Sequence, residues 1–188
     1  MPKYKCLSKT EWSSDGYKLV PIRTEDKYEI LNWRNSQIEI LRQKEIISIE
    51  QQEFYFANVV EKLFEEEYPK QLLFSFLYND VLIGYGGLVH IDWESKNAEI
   101  SFLTSKERSS IENVFTSDWN NYLNLLKTVC KPELNFIKIY TYAYGIRTNL
   151  FPILENNGFE QEAALKKHII INNKPVNIII HSFFFKIT

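Results

Sequence analysis

The amino-acid sequence predicts an α+β fold in which a mixed, mostly antiparallel central sheet is flanked by helices. Three observations carry this. Apolar residues recur at helical spacing in the first third of the chain, a β-rich middle segment then alternates with short turns, and a strand, helix, strand succession near the C-terminus suggests a parallel crossover.

The elements follow in order. Residues 18–22 read as a short strand, after which Thr24 caps a helix with Glu25 and Asp26 in its first turn. That helix buries Tyr28, Ile30, Leu31 and Trp33 and weakens at Arg34 and Asn35. A second helix starts after Ser48, with Gln51 at the capping-box position, and carries Phe54, Phe56, Val59, Val60 and Leu63. The acids Glu65, Glu66 and Glu67 point in different directions around a helix axis, which makes them a solvated helix end. Residues 72–78 and 81–91 form a hairpin around Asn79-Asp80, and residues 98–104 extend it to a meander. Ser117 then caps a helix over residues 118–129, residues 136–142 form a strand, and residues 147–157 a last helix closed by Gly158. The tail, residues 168–187, is a final hairpin turning at Asn172-Asn173-Lys174.

With 188 residues, 45% of them hydrophobic, the chain has the size of one domain spanning 1–188. A formal net charge of -2 supplies no overall positive field for nucleic acid or anionic membrane, so neither is an expected partner. Cys6 and Cys130 lie far apart and lack metal-ligand spacing, which fits free thiols in a reducing cytoplasm and no bound metal. Residues 1–16 lack the apolar stretch of a signal peptide, and no apolar run reaches the ~20 residues of a membrane helix. The cluster Gly84-x-Gly86-Gly87 lies inside a strand without a following helix, which marks a bulge or close backbone approach rather than a dinucleotide loop.

Four stretches carry a resemblance to a known family: Leu31-Asn32-Trp33-Arg34-Asn35 with residues 47–52, then residues 81–88, residues 98–102, and residues 153–162 around Gly158-Phe159. In this order they resemble the GNAT superfamily of N-acetyltransferases, in the branch of amino-sugar and ribosomal-protein acetyltransferases. The resemblance implies splayed fourth and fifth strands, with the pantetheine arm of acetyl-CoA, the acyl donor, paired to the backbone of Phe102, Leu103 and Thr104. It implies a small-molecule amine as acceptor, with a nucleotide-linked amino sugar favoured and Trp33, Arg34, Tyr55 and Tyr85 to bind it. A protein N-terminus, a binding module without catalysis, and self-association into a homodimer stay open.

Amine acyl transfer needs a base for the ammonium proton, donors for the oxyanion and an acid for the leaving thiolate. Glu99 is the first candidate base, on the same strand face as Ser101 by the period-two rule; a carboxylate merely paired with an Arg or Lys is the alternative. His90, beside Asp92 at a strand end, is the second, since histidine ordinarily titrates near neutrality. Where many family members place a tyrosine acid this chain has Leu154, so Tyr142 and Tyr144, which share a face with Tyr140, become candidates. The family's glycine-rich phosphate loop is replaced by residues 106–113, without a glycine, leaving Arg108, Ser109, Ser110 and, from the last helix, Arg147 as phosphate donors.

Overall fold

The computed structural model describes residues 2–186, so Ile187, the expected end of the closing hairpin, lies outside the described residues. Strands β1 (Trp12–Ser14) and β2 (Tyr17–Pro21) pair at one edge; β1 is an element that the sequence reading does not contain. β3 (Leu72–Tyr78), β4 (Val81–Asp92) and β5 (Asn97–Thr104) form the expected meander. β6 (Lys138–Tyr144), β7 (Glu160–Ile171) and β8 (Lys174–Phe184) complete one eight-stranded sheet in the order β1-β2-β3-β4-β5-β6-β8-β7. Among the described residues β5 and β6 alone pair in parallel. The other neighbours are antiparallel.

Turn chemistry fixes two of the hairpins. Asn79 and Asp80 both take positive φ (48° and 64°), as do Asn172 and Asn173 (48° and 59°), which matches the twist of two-residue turns that join antiparallel strands. Alternation then sorts the sheet faces. Leu72, Phe74, Phe76, Ala98, Ile100 and Phe102 pack with Phe115, Trp119, Tyr122 and Leu126 on one side. Leu73, Tyr85 and Leu103 pack with Ile30, Trp33, Phe56 and Val60 on the other. The glycine cluster is explained by close approach. A Cβ at Gly86 would stand 2.1 Å from the Ser101 carbonyl, and Gly87, at φ +148°, would drive one into the Leu72 carbonyl at 1.8 Å.

The helices depart from expectation in instructive places. α1 (Lys27–Ser36) follows a short turn, and Thr24 makes no cap. Instead Asp26 is buried, held by Arg23 at 2.7 Å and by the Ser75 hydroxyl at 2.6 Å. Tyr28, expected inside, is exposed at 44%, and Phe54 at 66%, because the apolar stripe is satisfied by Ile30, Trp33, Phe56 and Val60. The Ser48–Gln51 capping box opens α2 (Ile49–Tyr55) as read from the sequence, and the helix continues through a π turn into α3 (Glu61–Leu63). A one-turn α4 (Lys106–Ser110) kinks at Ile111 into α5 (Glu112–Thr128). Hence Ser117 lies inside a helix rather than capping one: Phe115 packs against Trp119 and extends the apolar face backwards.

α6 (Phe151–Asn156) is shorter than expected, since Pro152 sets its first turn, and Gly158 closes it at φ +78°. The α4–α5 connection makes the parallel crossover between β5 and β6. The one expected through α6 does run β6 parallel to β7, but β8 is inserted between them. β7 begins well before residue 168, because register shifts after Gln161 and Leu165 break its alternation. No helix among the described residues is long and apolar enough to cross a membrane.

Candidate active site

β5 and β6 pair over Asn97–Lys138, Ala98–Ile139 and Glu99–Tyr140 and then part. The wedge between them opens a cavity of about 760 Å³ lined by Glu99, His90, Tyr142 and Tyr144 together with Arg34, Arg42, Lys70 and Arg147. Two smaller cavities flank it. One of about 270 Å³ runs along Phe102, Leu103 and Thr104 to Lys106, Ser109, Ser110 and Arg147. The other, of about 290 Å³, holds Arg34, Tyr55, Tyr85 and Gln71 under α1 and α2. These volumes lie near or within the range of small-molecule sites, roughly 300–1,000 Å³.

Glu99 stands where the wedge opens. Its side chain is 12% exposed and is paired, as the alternative reading of this carboxylate supposes. Nη2 of Arg42 donates to both of its oxygens at 2.7 and 2.8 Å. Nη1 of the same guanidinium lies 3.1 Å from Nε2 of His90, and the group sits 4.0 Å above the Tyr142 ring. One side chain from the loop between α1 and α2 thus ties together β4, β5 and β6. His90 faces the cavity because β4 is irregular there. The residue has φ +49°, and pairing with β5 skips from Val89 to Asp92.

The tyrosines of β6 share the partly exposed face, with Ile139, Thr141 and Ala143 buried behind them. The Tyr144 hydroxyl donates to the Leu41 carbonyl at 3.0 Å, and burial pushes its phenol up despite the nearby Arg42. Tyr142 makes no hydrogen bond among the described residues, which leaves its hydroxyl the freer of the two. Leu154 is wholly buried in the core.

Along the 270 Å³ channel the free edge of β5 is met by Gln37, whose Nε2 donates to the Thr104 carbonyl at 2.8 Å. Arg147 precedes α6 rather than lying in it. It forms no ion pair among the described residues, rests 5.7 Å over the Trp119 ring, and burial pushes it down to about 10. A half-buried cation without a counter-charge fits an anionic ligand that supplies one. Ser109 and Ser110 line the channel, though their hydroxyls donate back to the Lys106 and Glu107 carbonyls at 2.9 and 2.7 Å. Arg108 does not reach it. Its fork binds Asp118, wholly buried in α5, at 2.7 and 2.8 Å, which braces α4 against α5 and corrects its expected role at the phosphates. Glu107 and Glu112 line neither cavity, so their charges do not oppose an anion there.

In the third cavity Arg34 donates from Nη1 to the Tyr85 hydroxyl at 2.8 Å and from Nε to Gln43 at 3.0 Å. Gln71 donates to the Tyr55 hydroxyl at 2.8 Å, and burial pushes both phenols up. Trp33, expected at the acceptor, lines none of these cavities. It belongs to the buried cluster with Ile30 and Leu103, because its position on α1 faces the sheet.

Residues 19–180 match the model of the acetyltransferase (GNAT) domain family. The chain belongs to the GNAT family. It is an N-acetyltransferase, and its acyl donor is acetyl-CoA. The donor fits the residues present, with the unpaired edge of β5 for the pantetheine arm and Lys106 and Arg147 for the phosphates. The GNAT fold is shared with spermidine N-acetyltransferase from Vibrio cholerae, solved in complex with CoA and spermine, at TM-score 0.73 and 16% identity, covering 91% of this chain and 96% of that one. RimJ from Mycobacterium smegmatis, in complex with CoA-disulfide, superposes at TM-score 0.70 and 13% identity over 89% of this chain and 81% of that one. No curated protein matches the sequence significantly.

Sequence reasoning missed Arg42, Gln37, Lys106 and Gln71. Nothing in the run Leu41-Arg42-Gln43-Lys44 marks one cation for an active site. Only the return of that loop over the wedge does so.

Proposed function

We propose that this GNAT enzyme acetylates the primary amine of a small molecule held by Arg34, Tyr55 and Tyr85, with Glu99 as general base and a nucleotide-linked amino sugar as favoured acceptor. The observation that carries the reading is the position of Glu99, a nearly buried carboxylate lining the central cavity, which shares Phe102 and Arg147 with the donor channel and Arg34 and Gln71 with the acceptor cavity. An aromatic, hydrogen-bonding pocket with a half-buried guanidinium suits a base, a sugar and a phosphate together. Spermine, bound together with CoA by the Vibrio cholerae neighbour, supports an amine as the acceptor class. The free thiols Cys6 and Cys130 support a cytoplasmic setting.

The chemistry balances as follows. The bound ammonium gives one proton to Glu99, and the freed nitrogen pair attacks the thioester carbonyl. The C–N bond forms, the C–S bond breaks, and the amide nitrogen loses a second proton to solvent. The leaving thiolate gains one proton, from the Tyr142 hydroxyl, which is refilled from solvent. The products are the N-acetylated amine, CoA thiol and one proton released from Glu99.

The test is thiol release from acetyl-CoA with a panel of amino sugars, nucleotide-linked amino sugars, polyamines and peptides, for wild type and Glu99→Gln. Transfer to an amino sugar that drops by about 10²–10⁴-fold in the variant supports both acceptor class and base. Transfer to peptide N-termini alone replaces the acceptor. Calorimetric binding of acetyl-CoA without turnover on any amine rejects the catalytic reading.

A further inference from the structure

The central cavity is lined by four cationic side chains, Arg34, Arg42, Lys70 and Arg147, and by one carboxylate, Glu99. That carboxylate is already bonded through both oxygens to a single guanidinium nitrogen. A polycationic amine would enter against this field, whereas an amine carrying an anion would enter with it. Both candidate bases are also held by the same group, since Arg42 binds Glu99 and reaches Nε2 of His90.

The surroundings of Arg42 separate a fixed backbone from a free side chain. On either side of it, the Leu41 carbonyl accepts from Tyr144, Gln43 bonds to Asn35 and Arg34, and Ile47 bonds twice to Asn35. Arg42 itself is 45% exposed, and its guanidinium rests on the Tyr142 ring, a face over which a planar cation can pivot without leaving it. Exchanging one carboxylate or phosphate partner for another across that ring conserves the ion pair.

We infer that the acceptor carries a carboxylate or phosphate beside its amine, and that this anion draws Arg42 off Glu99, freeing the base only when such an acceptor is bound. Arg42 is then a specificity-determining residue of the acetyl transfer. The inference rests on the reading of this site as an amine acceptor site with Glu99 as base. It differs from that reading in what it says about wild-type selectivity and about where Arg42 goes.

The experiment uses matched acceptors with acetyl-CoA: glucosamine against glucosamine 6-phosphate, and 4-aminobutyrate against its amide. The two pairs separate a phosphate from a carboxylate. Wild type is expected to favour the anionic member of at least one pair by tenfold or more in kcat/KM. Arg42→Gln is expected to bring that ratio close to one, losing rate on the anionic member and gaining it on the neutral one, while Arg42→Lys retains part of the preference. A fall shared equally by both members, or no change in either, overturns the inference, the first because it marks Arg42 as structural only. A second arm needs no turnover. The ¹⁵N resonance of His90 Nε2 should move when the preferred anionic amine saturates the wild type, as Arg42 leaves it, and should not move with the neutral partner. A stationary resonance overturns the inference. Movement without any acetyl transfer upholds the inference about Arg42 and rejects the catalytic reading instead.

Discussion

Arg147→Met removes a charge that the free protein keeps at a cost. Burial pushes the guanidinium well below its ordinary range, to about 10, with no carboxylate near enough to offset the loss of water. A tenfold change in acidity is worth about 1.4 kcal/mol, so the ionised form is disfavoured by roughly 3 kcal/mol on folding. The side chain keeps part of its contact with solvent, and screening there reduces the recoverable share to about 1–2 kcal/mol. Methionine retains the contact with Trp119 and carries no charge, so without donor Arg147→Met should be more stable by that amount. At about 2–4 °C per kcal/mol for a chain of this size, the melting temperature should rise by several degrees. Acetyl-CoA should respond with the opposite sign. A charged hydrogen bond to phosphate contributes about 1.5–3 kcal/mol, so the dissociation constant should increase by about 10–150-fold. Thermal melts and calorimetry on the same two proteins measure both quantities. A destabilised variant, or one that binds donor as wild type does, refutes the assignment of Arg147 as a cation held ready for the phosphates.

Two further predictions concern buried ionisable groups away from the reaction. Asp118→Ala leaves Arg108 partly buried without its partner and should cost about 3–5 kcal/mol in urea denaturation, with loss of donor binding following from loosening of α4 rather than from a lost contact. His181 is fully buried against Phe151, both its ring nitrogens lack hydrogen bonds among the described residues, and burial lowers its pKa although Glu155 lies 3.7 Å away. The unfolded chain, titrating near 6.5, takes up that proton first, so this contribution is complete above about pH 6.5 and declines as pH falls below it, by at most about 1.4 kcal/mol per pH unit. His181→Leu should flatten stability against pH between 7 and 5, and an unchanged slope would remove His181 as the cause.

The parts of the fold legible in sequence are those set by local rules. The Ser48–Gln51 box, the Asn79-Asp80 and Asn172-Asn173 turns and the Gly158 closure each need only a few neighbouring residues to work. Alternation alone places Glu99 beside Ser101 and aligns Tyr142 with Tyr144, and all four line the central cavity. What sequence could not give depends on long-range return of the chain. Thr24 has the composition of a cap, yet Asp26 is claimed by Ser75 from a distant strand, and Arg108 looks available for phosphate until Asp118 is brought beneath it. Trp33 is an aromatic beside a useful arginine, and only the packing of α1 on the sheet decides that the ring goes inward while Arg34 goes to the cavity.

The two departures from the family pattern are connected through geometry. Without glycine, residues 106–113 form a one-turn helix and a kink, so fewer backbone amides can be aimed at an anion and side-chain cations must do more of that work. Lys106 and Arg147 stand at that end of the wedge, from opposite sides. Leu154 is likewise committed to the core, where a phenol would need a partner. Two phenol hydroxyls at the central cavity arrive from β6, because its alternation turns Tyr142 and Tyr144 toward the same gap that its departure from β5 creates. The splay that exposes the backbone of β5 therefore also presents the hydroxyl proposed as the acid, and a change that restored β5–β6 pairing beyond Tyr140 would remove both together.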